Sequence, residues 1–274
     1  MWYVYAASLL FLPFYRRASF GLLAVALILA AVDGTLHWQA ITALIVIGAV
    51  AIGHRQIKKP AAVGLAAEAI LLLSAVALML HLIPGFSNPQ IVSAVKAGPE
   101  SAPFSFYYNF DKALIPFLLL ACLPTLLKRP AAGPKNKLWW LVLMLSMPLL
   151  LLVATLAGGL RVERHLPEWL GAFMLANLFF VSFAEEALFR GYLQQRLSQK
   201  VGNVWGLLIA AGVFGLAHIA GGSLLVLFAA MAGIIYGLAW LWSGRVWVST
   251  LVHFAFNLLH LLFFTYPMWQ RLPG

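Results

Sequence analysis

Apolar runs long enough to cross a bilayer recur along the whole chain, separated by short connections rich in Pro, Gly and charge. A spanning helix needs about 20 mostly apolar residues, because the hydrocarbon core is about 30 Å thick. Inside that core each backbone polar group must find its partner within the protein, so such runs fold as helices. The composition agrees: 63% hydrophobic and 9% charged, against about 25% charged in soluble domains. A soluble fold is excluded. Helices are predicted at roughly 2–14, 19–33, 38–53, 61–84, 113–127, 138–160, 168–189, 203–219, 223–243 and 246–266. Some of these are short, so the expected architecture is an all-α, polytopic transmembrane helix bundle of about 8–10 spanning helices.

The formal charge of +10 does not point to nucleic acid, because the basic residues are scattered through the connections rather than gathered in one patch. In a membrane protein that distribution sets topology. Most Lys and Arg fall in the loops around 15–18, 54–60, 128–137, 190–202 and 243–246, which are therefore expected in the cytoplasm. With ten spans both termini would face outward. The single cysteine, Cys122, lies in an apolar run, which excludes a disulfide framework and a cysteine metal cluster. The N-terminus has no basic region ahead of its apolar stretch and no evident small-residue cleavage site, so it reads as a retained helix. The long 85–112 connection carries Phe104, Phe106, Tyr107, Tyr108 and Phe110. This cluster reads as an interfacial aromatic belt, with a substrate-entry lid as the alternative.

Against this apolar background two adjacent carboxylates, Glu185 and Glu186, stand in the run LGAFMLANLFFVSFAEEALFRGYL. An ionisable side chain at the bilayer centre costs at least about 2.5–3.5 kcal/mol, and such residues mark functional sites by default. Arg190 lies one helical turn beyond Glu186 and can pair with it. Glu185 has no evident local partner. The chain is expected to turn at Val201-Gly202-Asn203, which places Glu185 and His218 each about 25 Å from the turn and hence at similar depth. On the last helix His253 and Asn257 share a face one turn apart.

Those residue types support hydrolysis by an activated water. A carboxylate held away from bulk solvent suits general-base work, and a neighbouring imidazole can share the proton. A second His and an Asn amide can donate to a developing oxyanion. No G-x-S-x-G is present. Taken singly, each residue has a structural reading: Glu186 with Arg190 as an ion pair that locks the helix, His218 as a core histidine on a carbonyl, His253 and Asn257 as interhelical glue, Phe214 as packing. His54 and His260 receive no role.

The strings EEALFRG (185–191), FGLAH (214–218) and HFAFN (253–257) carry the motifs E-E-x-x-x-R, F-x-x-x-H and H-x-x-x-N. In this order the chain resembles, over about 168–266, the CPBP family of intramembrane glutamic endopeptidases, the CAAX-prenyl-protease and bacteriocin-processing type. The resemblance implies that Glu185 and His218 activate water, that Glu186 pairs with Arg190, that His253 and Asn257 stabilise the oxyanion, and that Phe214 packs behind His218. It implies no metal and no other cofactor. It divides the chain into N-terminal transmembrane helices of unassigned role (1–135) and a protease core (136–274). The expected substrate is a membrane-anchored or hydrophobic peptide or protein, and the expected setting is the lipid bilayer of a prokaryotic cytoplasmic membrane. The sequence sets no oligomeric state. Two other readings stand beside this one. One is a zinc-dependent membrane hydrolase with Glu185, His218 and His253 as ligands. The other is a non-catalytic scaffold, immunity or transport protein whose buried polar residues relay protons or bind a partner.

Overall fold

A computed structural model describes residues 1–56 and 60–270. Lys58 and Lys59 of the basic 54–60 loop, and Arg271, lie outside the described residues. The fold is a helix bundle. The N-terminal half contributes α1 (Trp2–Phe11), α2 (Arg16–Val32), α3 (Trp38–Gln56) and α4 (Ala61–Met79). A short two-stranded antiparallel sheet follows, β1 (Gln90–Val95) with β2 (Phe104–Tyr107). Then a 3-10 turn at Lys112–Leu114 runs into α5 (Ile115–Cys122).

The C-terminal half begins with α6 (Leu138–Leu156). Next comes one continuous helical stretch in which α7 (Leu170–Leu175), α8 (Phe183–Glu186) and α9 (Gln195–Leu216) alternate with π-helical turns at Ala176–Ser182 and Ala187–Gln194. The chain ends with α10 (Ser223–Ser243) and α11 (Val246–Phe263).

Six helical stretches are long and apolar enough to cross a membrane, and Trp2–Phe11 and Lys112–Cys122 are shorter apolar helices. The longest stretch, Leu170–Leu216, is two helices. Gly202 breaks it with φ +83° and ψ 164°, a conformation open to glycine because it lacks Cβ. The chain doubles back there, since a Cβ on Gly206 would stand 2.7 Å from the backbone nitrogen of Ser198. The expected turn at 201–203 is therefore present. A second left-handed glycine, Gly244 at φ +67°, closes α10 as its C-cap, which aims the chain back into α11.

Burial places these elements in the bundle. Only 6% of the α3 window and 17% of the α4 window are buried, against 67% for Leu170–Leu216. The Leu170–Leu216 hairpin is the centre. α10 packs on α9, α6 and α11, while α5, α4 and α1 close the opposite side.

The 85–112 connection differs from the expected outward belt. Phe106 and Phe110 are buried, and Phe106 packs on Trp169 and Phe173 at centroid distances of 5.7 and 6.1 Å. The aromatic side chains turn inward because the hairpin lays one face on the start of α7. The other face leaves Tyr107 exposed.

Candidate active site

A cavity of about 620 Å³ lies between α6, α10, α11 and the 177–185 stretch, and Glu185, His218, His253, Asn257 and Phe214 all line it. Its floor reaches Tyr236 and His253, midway along α10 and α11, and its walls run to Gly158, Gly221 and Trp269. It therefore occupies one end of the bundle. Among the described residues, the turns at the opposite end, around 201–203 and 243–246, contribute nothing to the lining.

The rim at the open end is a knot of three segments. Thr265 and Arg161 exchange hydrogen bonds, with Thr265 N–H on the Arg161 carbonyl at 2.9 Å and Arg161 N–H on Thr265 Oγ1 at 3.0 Å. Glu163 accepts from Ser101 Oγ at 2.6 Å and from the Glu100 amide at 2.8 Å. Burial works to raise the Glu163 carboxyl, but these bonds, with that of His165, outweigh it and hold the group below its ordinary value.

Below the rim, Glu186 has no exposed surface. Its Oε1 accepts from Arg190 Nη1 at 2.8 Å and from His253 Nδ1 at 2.9 Å. Arg190 reaches on to the Gly233 carbonyl at 3.0 Å and lies over the Phe214 ring, 4.4 Å from its centroid. The π-helical turn thus holds a buried ion pair that straps the central hairpin to α10 and orients His253.

Both histidines are fixed through Nδ1. His218 Nδ1 lies 2.8 Å from the Phe214 carbonyl oxygen, which can only accept, so Nδ1 carries the hydrogen. His253 Nδ1 faces the Glu186 carboxylate on the same logic. In the neutral rings Nε2 is then the acceptor. Nε2 of His253 stands 4.0 Å from Glu185 Oε2, and the His218 ring packs on Phe214 at 4.7 Å. Asn257 Nδ2 donates to Asn177 Oδ1 at 3.2 Å, which also accepts from Ser182 Oγ at 3.1 Å.

The structure adds a partner from far along the chain to a carboxylate that has none nearby. Glu185 has a partner: its Oε1 lies 2.6 Å from Lys112 Nζ, with both side chains largely buried. Nothing local in the sequence joins residues 73 positions apart. Two further residues were missed. Asn177 is a lone amide in an apolar helix, the kind of intramembrane polar residue that could have been singled out. Tyr236 stacks on His253 at 4.4 Å with rings 13° apart, and no motif marks it. His260 lines the cavity too, its Nε2–H on the Thr265 carbonyl at 3.1 Å. Among the described residues no group of three or more His, Cys, Asp or Glu is placed to hold a metal ion, so Glu185, His218 and His253 do not form a preformed zinc cage.

Residues 167–259 match the model of a protein family described as Rce1-like, type II CAAX prenyl endopeptidase. This segment is Rce1-like. The matched stretch contains the residues of all three motifs, and it agrees with the CPBP resemblance. No curated protein and no solved structure matches the chain. The apolar helices describe a multi-pass membrane protein, and within it the 167–259 segment is similar to a protease family.

Proposed function

We propose that this chain is an intramembrane endopeptidase. It hydrolyses a peptide bond of a membrane-anchored or hydrophobic substrate, using water activated by Glu185 and His218 and no metal. The observation that carries this reading is that both cavity histidines are anchored through Nδ1, which leaves Nε2 of each as the acceptor in the cavity that Glu185 also lines, with His253 Nε2 4.0 Å from Glu185 Oε2. A water seated between Glu185 and His218 Nε2 loses its proton to the carboxylate as its oxygen bonds to the scissile carbonyl carbon. The carbonyl π electrons move onto oxygen. The remaining N–H of Asn257 donates to that oxyanion, and so does Nε2–H of His253 when the ring is protonated, with Glu186 balancing its charge. Collapse of the tetrahedral intermediate breaks the C–N bond, and the proton held by Glu185 passes to the departing amine.

The substrate reaches the site from the end marked by the 157–165 and 264–269 segments. Positive loops at 128–137 and 243–246 belong to the other end, so the mouth faces away from the cytoplasm.

The test compares wild type with Glu185→Gln in native membranes by mass spectrometry of membrane-associated proteins. Fragments generated by wild type and absent with the folded variant are expected. Identical fragment sets from two folded proteins would overturn the protease reading in favour of a non-catalytic scaffold or transporter.

A further inference from the structure

The proposed carboxylate base is held by a residue that lies outside the Rce1-like segment. Lys112 Nζ takes Glu185 Oε1 at 2.6 Å, and only 13% of the lysine side chain and 10% of the glutamate side chain are exposed. Lys112 is itself placed by a built scaffold. Asp111, buried, accepts from the Lys112 amide at 2.8 Å, from Asn88 Nδ2 at 3.0 Å and from His81 Nδ1 at 2.7 Å. Asn88 Oδ1 takes the Phe110 amide at 2.8 Å, and Tyr5 of α1 donates to the Phe110 carbonyl at 2.8 Å while its ring stacks on Phe110 at 4.2 Å. Three parts of the N-terminal half, α1, the residues after α4 and the end of the sheet connection, thus converge on the Phe110–Lys112 backbone that presents the ammonium group.

An exposed lysine needs no such support. A buried one needs a counter-charge, and the buried carboxylate beside it is Glu185. The pair also divides the work of the two oxygens. Oε1 is committed to Lys112, and Oε2 is the one toward His253.

We infer that Lys112 is a positioning residue of the active site: it pins Glu185 by one oxygen, so that the other alone takes the proton from water. The N-terminal helices, for which the sequence offered no role, thereby complete the site. This inference rests on the protease reading for its kinetic consequence, but the contact can be tested without it.

The experiment uses the full chain in detergent with wild type, Lys112→Met and Lys112→Arg. Turnover of a substrate identified by the fragment comparison should fall by about 10- to 100-fold in Lys112→Met with KM within about twofold, and Lys112→Arg should recover most of it. In parallel, dicyclohexylcarbodiimide, which modifies uncompensated carboxyls in apolar surroundings, is mapped on Glu185 by mass spectrometry. Labelling should rise severalfold in Lys112→Met and stay low in wild type and Lys112→Arg. Melting in the same detergent separates a lost base from a lost fold. Wild-type turnover in folded Lys112→Met, or loss of turnover only in step with melting, would overturn the inference. So would unchanged labelling of folded Lys112→Met, whether or not wild type cleaves anything. Absence of cleavage by wild type is a failure of the protease reading and leaves the labelling to decide on Lys112.

Discussion

Glu186 is fully buried between Arg190 and His253, whereas Glu185, one residue earlier, reaches the cavity and divides its oxygens between Lys112 and the space beside His253. Adjacent residues on a helix point about 100° apart, so two neighbouring carboxylates meet different surroundings. Removing the Glu186 charge leaves Arg190 buried and unpaired, which costs about 3–5 kcal/mol. Glu186→Gln should therefore lower the melting temperature in detergent clearly; a variant that melts like wild type would show that the pair does not brace the bundle. Asn257 makes the opposite prediction. One of its N–H groups is on Asn177, and the other is free to meet an oxyanion only in the transition state. Asn257→Ala should lower kcat by roughly 10²- to 10³-fold with KM little changed. A defect confined to KM would remove the oxyanion role.

The helix that carries both glutamates is wound in π-helical turns on either side of them. Such turns are uncommon and cluster at functional sites, and the apolar pattern of the run does not announce them. Even so, the i,i+4 contact of Glu186 with Arg190 survives at 2.8 Å, which is why motif spacing remained a sound guide. The 85–112 connection was less legible. QIVSAV and FSFY have strand-like composition, but their pairing, and the inward turn of Phe106, depend on the α7 surface they meet. The rim of the cavity has its own pH response. The Glu163 carboxyl is held low by Ser101, the Glu100 amide and His165, which outweigh its burial. A depressed carboxyl contributes stability above its unfolded pKa of about 4.3, and that contribution is lost as pH falls through the lower folded value. Hydrogen-exchange protection at residues 98–102, taken relative to the intrinsic exchange rate at each pH, should fall in acid for wild type but not change over that range in Glu163→Gln. An equal acid response in both would place the effect elsewhere.

Across the whole molecule, the central hairpin is sheathed by α10, α11 and α6 on one side and by the N-terminal helices on the other. The cavity is confined to one end because the other end is filled by Arg190, Gln194 and Trp240, all buried. The basic loops at 128–137 and 243–246 lie at that filled end, and the proposed outward mouth follows from the positive-inside rule. In a Cys122→Ala background, a cysteine at Val162, which is exposed, should react with a membrane-impermeant maleimide added to intact cells. A cysteine at Val204, also exposed, should react only after the cells are opened. The reverse pattern would place the mouth in the cytoplasm.

The sequence by itself determined that the chain is a helix bundle in a membrane, where its central hairpin turns, and which His, Asn and Glu side chains come together at one cavity. Those features are local: hydropathy acts residue by residue, a glycine permits a turn where it stands, and motif residues one helical turn apart share a face. Only the tertiary structure decided that Glu185 is paired with Lys112, that Tyr236 backs His253, that Asn177 orients Asn257, and at which end the cavity opens. Each of these depends on which helices touch, and contacts between residues far apart in the chain arise from the packing of whole elements, which no local pattern encodes.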